Sequence, residues 1–387
     1  MTLKLSSSKT KIFFMKKLKI GFVGANYVTK HLLNALAEKH DVVVWAKQKP
    51  DEPISLKINF IFLDRSWENT KQWLRKKGNE RSLPQYFKKL LPSLKLENPD
   101  VLVVMEFINF YYWQVLLYSF INPQCKIILL SETKRKPTSR LSRLVFWIFL
   151  DLAKIFAGRI TKVYTYDAAG EVFFKKHFPN THVETFLFPV DENTPWYKKP
   201  TAGSTIRILM PARFVAFKRH EDVIEAMKLV PDSLDIQIDF ANFDSDQSTY
   251  HTRIEELVAD TKTDSRISIS DTIQKPFSNY YNRLADYDCV LLPSDNEAVG
   301  AVIPAALHCG RATVTSDTVG ANVFVKDTEV GYIVKTKDVE SLSQTLQKLD
   351  KKILHQMGQT AAKRMRSDFS AKNQAQKFIQ NISENLV

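Results

Sequence analysis

The chain has 387 residues, 44% of them hydrophobic and 25% charged, and a formal charge of +13. That length suggests two or three domains, and the hydrophobic fraction is that of a globular protein rather than a disordered or fibrous one. The charge calls for an anionic partner such as a phosphorylated substrate, a membrane surface or nucleic acid, while three scattered cysteines, Cys125, Cys289 and Cys309, argue for a reducing compartment and against a disulfide framework or a zinc site.

Residues 1–17 read as a loose tail. The start has lysines but no long apolar core followed by a small-residue cleavage site, so it makes a poor signal peptide. KIGFVGAN (19–26) is an apolar strand running into a glycine turn. Residues 28–40 have helical spacing, and DVVVWA (41–46) is a second buried strand, so the first unit is βαβ. Gly21, Gly24 and Ala25 fall short of a full dinucleotide fingerprint; Gly24 is kept as a weak nucleotide candidate and a fair tight turn. Further strands are expected at 59–64, 100–106, 126–132 and 162–167. Continuous apolar runs separated by helices predict a parallel sheet covered on both faces.

ENTPWYKKPTAGST (192–205) has the composition of a linker. A second α/β series follows, with strands at 206–212, 235–242, 266–270, 289–294 and 312–317. Helices are expected at 220–230 and 339–349, and from 361 to the end. The expected fold class is α/β: two doubly wound, Rossmann-like domains, 18–192 and 206–365, joined by a linker at 193–205. Residues 366–387 form a last helix that packs back on the first domain. Such a pair binds its ligand in the cleft at the carboxyl ends of the strands.

Two segments of the second half carry chemistry. Leu292–Val314, LPSDNEAVGAVIPAALHCGRATV, reads as a strand end, an acidic loop with a glycine, a helix and a strand. N–H groups at a helix start donate to anions, whereas Glu297 suits neutral hydroxyls; together they suit a ligand with both phosphate and sugar. In MPARFVAFKRHED (210–222), Arg213 and Lys218 follow a strand, and two cations five apart can converge on one diphosphate. Each segment alone also reads blandly, as an ordinary loop or as solvated cations.

These motifs resemble the donor domain of GT-B glycosyltransferases of the large retaining family four. RFVAFK is similar to that family's Arg-x-x-x-x-Lys signature. SDNEAVGAVIPAALHCGRATV resembles its Ser-x-x-Glu-x-x-Gly…Cys-Gly-x-Pro-Val block, and GANVFVKDTEVGYIV the following one. The resemblance is specific from Arg213 to Val334. It implies transfer of a sugar from a nucleotide diphosphate sugar to a hydroxyl acceptor, with retention and without a metal or other cofactor. It places Arg213 and Lys218 on the diphosphate and Glu297 on sugar hydroxyls. Ser294, Ala298, Val299, Gly300 and Ala301 line the donor, and Thr272 and Ile273 lie near the base. One departure stands out: the family's second glutamate, which holds the ribose, would fall at Ala305. Losing such a charge-assisted pair costs about 1.5–3 kcal/mol. This leaves open a non-catalytic relative that binds the donor without turning it over. Arg311-Ala312 replaces the usual Gly-x-Pro, which affects a turn more than chemistry.

The first half should bind the acceptor. It has no histidine between His40 and His177, so no catalytic histidine can be assigned there. Glu132 is the first candidate for an acceptor contact or base and Glu106 the second, with Asp167 a further strand-end acid; capping or solvation explains each equally. Asp244-x-Asp246 resembles the metal-binding motif of the other large glycosyltransferase fold, but the Arg213–Lys218 pair fits a metal-free site better. Finally, Lys134, Arg135, Lys136, Arg140 and Arg143 lead into LVFWIFLDLAKIF. That run is too short and too charged to span a membrane. It suits an interfacial helix on anionic lipid, with Trp147 and Phe149 as apolar contacts, and equally a buried helix behind a solvated basic loop. A lipid-linked or cell-envelope glycan acceptor and a position in the cytoplasm or at the cytoplasmic membrane face follow as expectations. No nucleic-acid module is recognisable.

Overall fold

The computed structural model describes residues 17–24, 30–47, 54–64, 86–131, 140–186, 203–242, 249–260, 264–270, 272–273, 278–297, 299–325 and 328–383. The tail, the candidates Glu132, Ala298, Asp244 and Asp246, the cations Lys134 to Lys136 and most of the linker lie outside them.

The first sheet is parallel and seven-stranded. Its strands are β1 (Lys19–Val23), β2 (Asp41–Ala46), β3 (Asn59–Phe62), β4 (Val101–Met105), β5 (Lys126–Ser131), β6 (Ile160–Thr165) and β7 (His182–Thr185), in spatial order β3-β2-β1-β4-β5-β6-β7. Its helices are α1 (Lys30–Ala37), α2 (Leu90–Glu97), α3 (Phe110–Ile121), α4 (Arg140–Ile155) and α5 (Ala168–His177). Strands such as VLVVM at β4 are buried at every position, as a strand covered on both faces must be.

The second sheet has six parallel strands: β8 (Ile206–Pro211), β9 (Ile236–Ala241), β10 (Ile267–Ser270), β11 (Cys289–Leu292), β12 (Ala312–Ser316) and β13 (Gly331–Val334), in order β10-β9-β8-β11-β12-β13. Around it lie α6 (His220–Lys228), α7 (Thr249–Ala259), α8 (Ser278–Arg283), α9 (Val302–His308), α10 (Val339–Gln347) and α11 (Lys351–Asp368). In both sheets the strand order reverses beside the first strand, between β1 and β4 and between β8 and β11. Loops diverge there and leave a crevice at the carboxyl ends of the strands, where such folds bind ligands.

The sequence suggested one helical tract to the end of the chain. The structure divides it into α11 and α12 (Ala371–Ser383). The Ser370 hydroxyl accepts the Asn373 N–H at 3.2 Å, restarting the chain as a new helix. This last helix packs on α1, and Phe378, 3% exposed, stacks on Phe22 of β1 and Tyr164 of β6. The core of the second domain therefore continues onto one face of the first sheet. The opposite face, under α2 to α5, has a separate aromatic-rich core. The three cysteines are buried thiols, and burial raises the pKa of Cys125 and of Cys309 to about 12.

Candidate functional site

Three loops at the carboxyl edge of the second sheet are tied into one structure. The first follows β8. Arg213 leaves the strand exposed to solvent, and its guanidinium pairs with no acid among the described residues. A single 3-10 turn, Ala216–Lys218, then buries Lys218. Arg219 adopts φ 63 before α6 starts, a conformation unfavourable for a residue with a side chain. Its guanidinium grips Asp222 through two nitrogens at 2.8 and 2.6 Å, which offsets that strain.

The second loop follows β11. The Lys218 ammonium meets the Glu297 carboxylate in a largely buried ion pair. Close by in both loops, the Asp295 N–H donates to Phe217 O at 2.6 Å. Asn296 takes φ 58, and its N–H donates to Thr318 Oγ1 at 3.0 Å. The third loop, after β12, closes the arrangement. Ser316 and Thr318 both donate their hydroxyls to Ser294 O, and the Gly320 N–H donates to Glu297 O at 2.8 Å. Glu297 is thus fixed at its main chain by one loop and at its carboxylate by another. Lys337 beyond β13 holds Asp295 at 2.7 Å.

The sequence-derived candidates divide clearly. Lys218, Ser294, Glu297 and Gly300 come together at this edge, with Arg213 on the loop that carries Lys218. Val299 is buried and Ala301 half-buried at the start of α9, whose first N–H groups have no partner within the helix. Ser294 is fully buried, and its hydroxyl has no hydrogen-bond partner among the described residues. Thr272 is half-buried, but Ile273 is 5% exposed, packed in the core, with its N–H on Asn242 O. Ala305 is also core, 5% exposed on α9. Gly24 belongs to the first sheet, at the end of β1. There φ is +79, and a Cβ would approach Tyr111 Oη to 2.8 Å.

Gly300 has two reasons to be glycine. Its φ is +64, and a Cβ would meet Val319 Cγ1 at 2.6 Å and Leu292 Cδ2 at 3.3 Å. Gly300→Ala should cost about 1–3 kcal/mol and weaken donor binding by displacing the loop. Thermal unfolding and donor titration would check this, and an unchanged Tm would count against the packing argument.

In the loop after β12 the sequence marks the block that starts at Gly320 but not Ser316 and Thr318, whose one signal is the run of small hydroxyl residues in TSDT. Arg311, which in the sequence only varies a turn, has a structural role. It is 2% exposed, and its guanidinium braces the end of α9 through Leu284 O at 2.9 Å, Gly310 O and Ala285 O. His220 was also unremarked. It is fully buried and stacks on Phe214, which stacks in turn on His251, with centroids 4.6 and 4.1 Å apart. Neither His220 ring nitrogen has a hydrogen-bond partner. Burial, then Lys218 and His251, lower its pKa to about 3. Unfolding therefore lets this group take up a proton between pH 6.5 and about 3, so stability should fall with pH across that window. The slope approaches about 1.4 kcal/mol per pH unit. Urea midpoints at pH 7, 6 and 5 would show it, and His220→Phe should flatten the slope.

On the first sheet, Glu106 stands just past β4 with φ 62 and accepts the Ser131 hydroxyl at 2.9 Å. Strain of this kind is kept where surrounding structure enforces it. Glu106 and Ser131 lie at the switch point beside Gly24, and Asn109 holds Tyr111 Oη at 2.9 Å. Asp167, by contrast, caps α5 by accepting the Gly170 N–H at 2.6 Å. Among the described residues no group of three or more His, Cys, Asp or Glu could hold a metal ion, and no helix is long and apolar enough to cross a membrane.

No curated protein sequence matches the chain. Residues 197–364 match the family described as glycosyl transferases group 1. Among solved structures, sucrose-phosphate synthase from Thermosynechococcus elongatus superposes with TM-score 0.70 at 16% identity, covering 96% of this chain and 99% of that one. Anabaena HepE in complex with UDP and glucose gives TM-score 0.66 at 14% identity, over 95% and 100%. The lipopolysaccharide outer core galactosyltransferase WaaB gives 0.66 at 12%, over 95% and 99%. At such identities the structures establish the fold, and the family match covers the domain that carries the three loops. The whole chain thus has the two-domain GT-B fold of these structures, and residues 197–364 of its second domain are similar to the glycosyl transferases group 1.

Proposed function

We propose that the protein transfers a sugar from a nucleotide diphosphate sugar to a hydroxyl acceptor, with retention of configuration and without a metal. The observation that carries this reading is the Lys218–Glu297 ion pair that ties two loops together at one sheet edge, with Arg213 on the loop that carries Lys218. Negative charge develops on the departing diphosphate, and Lys218, held in place by its loop, together with Arg213 stabilises it there more than in the ground state. Those cations do the work a divalent ion would otherwise do. Glu297 accepts hydrogen bonds from sugar hydroxyls, and the amides at Gly300 and Ala301 face the phosphate. The acceptor lies against the first sheet, where Glu106 and Ser131 offer polar contacts and Glu132 follows directly in sequence.

The acceptor is read as a cell-envelope or lipid-linked glycan, with the protein peripheral at the cytoplasmic face of an anionic membrane. The basic, aromatic first domain supports this, as does the likeness to a lipopolysaccharide core galactosyltransferase. The test is a panel of nucleotide sugars, each assayed for nucleoside diphosphate release with and without a chelator. Release insensitive to the chelator is expected for at least one donor. Binding without release would favour a second reading, a donor-binding protein without turnover, for which Ala305 speaks. A strict metal requirement would overturn the metal-free mechanism.

A further inference from the structure

The outer face of α3 and α4 is apolar and uncovered. Leu117 and Phe120 on α3, and Leu144, Trp147, Ile148 and Ile155 on α4, are 44% to 71% exposed. On α4 these positions form one stripe at helical spacing. The opposite stripe, with Phe146, Phe149 and Leu150, is buried in the core. Phe149, expected from sequence as a membrane contact, packs edge-on against Phe110 and Trp113 instead. A helix that is apolar on both sides is normally buried on both, and a patch of this size on a soluble chain marks a docking surface. The two helices form one continuous face, because Phe156 joins Trp113 and Phe120 across it.

Charge identifies the occupant. Residues 1–200 carry 33 Lys and Arg against 17 Asp and Glu, a net +16, while residues 201–387 carry 22 against 25, a net −3. The whole excess of positive charge thus lies in the half that exposes the apolar face. Arg143 and Lys176 are exposed at its edge, and Arg159 lies 4.9 Å over the Phe120 ring. Lys154 and Lys175 are already engaged by Asp151 and Glu171. A second copy docked here would bring two net-positive halves together; an anionic lipid surface would neutralise the charge. At 16 residues α4 is about 24 Å long, so it suits lying in the interface rather than crossing it.

We propose that the α3–α4 face is the membrane-docking surface, lying flat on an anionic bilayer with Trp147, Ile148 and Phe120 in the headgroup–acyl boundary. The inference rests on the transferase reading for its consequence. Both helices start at the carboxyl edge of the first sheet, the edge assigned to the acceptor. A docked bilayer therefore reaches that edge and presents the hydroxyl head group of a lipid-anchored acceptor to the crevice.

The experiment is co-sedimentation of the full chain with vesicles of phosphatidylcholine alone or mixed with phosphatidylglycerol, across a salt series. Binding is expected to the mixed vesicles and should weaken as salt rises. Trp147→Glu/Ile148→Glu, and separately Ile155→Glu, should reduce it by roughly tenfold or more. Leu229→Glu/Ile353→Glu, at exposed apolar sites of the second domain, should leave it unchanged. Donor hydrolysis without acceptor, followed as nucleotide release, should survive in every variant and report an intact fold. Absence of binding at low salt, or equal loss with the second-domain control, overturns the proposal. So does a wild-type dimer that Trp147→Glu/Ile148→Glu converts to a monomer. Vesicle binding without nucleotide release would retain the surface and remove the transferase reading.

Discussion

Lys218→Met should lower kcat/KM for donor turnover by about 10²–10³-fold, the usual cost of removing one preorganised group that stabilises developing negative charge. The same substitution also has a structural cost. Lys218 is 8% exposed and forms an ion pair with Glu297. Removing one partner of a buried pair leaves an uncompensated charge and costs about 3–5 kcal/mol. A fall in activity alone would therefore be ambiguous. Lys218→Met/Glu297→Gln separates the two effects. It removes the stranded carboxylate, so most of the stability should return, while turnover should stay at or below the level of the single variant. Lys218→Arg should keep the pairing but place a planar fork where a compact ammonium fits, recovering activity in part. The measurements are thermal unfolding beside steady-state nucleotide release. If the double variant regained both stability and turnover, Lys218 would be a structural residue and the charge-stabilisation argument would fail.

The pair also bears on donor selectivity. If the proposed roles hold, the cation that would bind phosphate and the carboxylate that would bind sugar hydroxyls neutralise each other across two loops. An incoming diphosphate must compete with Glu297 for the Lys218 ammonium, and the sugar must offer hydroxyls to the carboxylate so released. A ligand with only one of these groups gains less. Such a site discriminates in favour of molecules carrying both, because an unpaired buried charge is expensive.

What could be read from sequence follows from where the physical signal is local. β2, β4 and β8 were found within a residue or so because a strand buried on both faces is an unbroken apolar run. β7, the short edge strand HVET, and β13 lack that run and went unread. α3, FYYWQVLLYSFI, has apolar residues on nearly every side, so no period marked it as a helix. Lys218 and Glu297 were readable because each sits in a strand-to-loop motif with its own chemistry. The contribution of Ser316, Thr318 and Gly320 was not, because it consists of hydrogen bonds to residues about twenty positions earlier. The apolar face of α3 and α4 was half-legible. Helical spacing locates the stripe, but which stripe faces the core depends on α3 and on the sheet.

Phe378→Ala should destabilise the first domain by about 3–5 kcal/mol, the range for deleting a large buried aromatic side chain. Phe378 belongs by sequence to the end of the chain, yet it is buried between Phe22 and Tyr164, with ring centroids 6.4 and 5.9 Å away. Nearby, Asn381 donates to Tyr164 Oη at 3.3 Å and to Glu184 at 3.2 Å. The last helix thus covers part of one face of the first sheet, and the cavity left by Phe378→Ala would open between β1, β6 and α12. With about 2–4 °C per kcal/mol for a domain of this size, the first-domain transition should fall by about 6–20 °C. Donor affinity of the second domain should hold at temperatures below that transition. Acceptor-dependent turnover should fall first, since it needs both domains placed across the crevice, and α12 connects them through α11. Calorimetry resolving two transitions, beside donor titration and transfer assays, distinguishes these effects. A shift of both transitions by the same amount would mean that the domains unfold as one unit. An unchanged first transition would mean that α12 contributes nothing to the first domain.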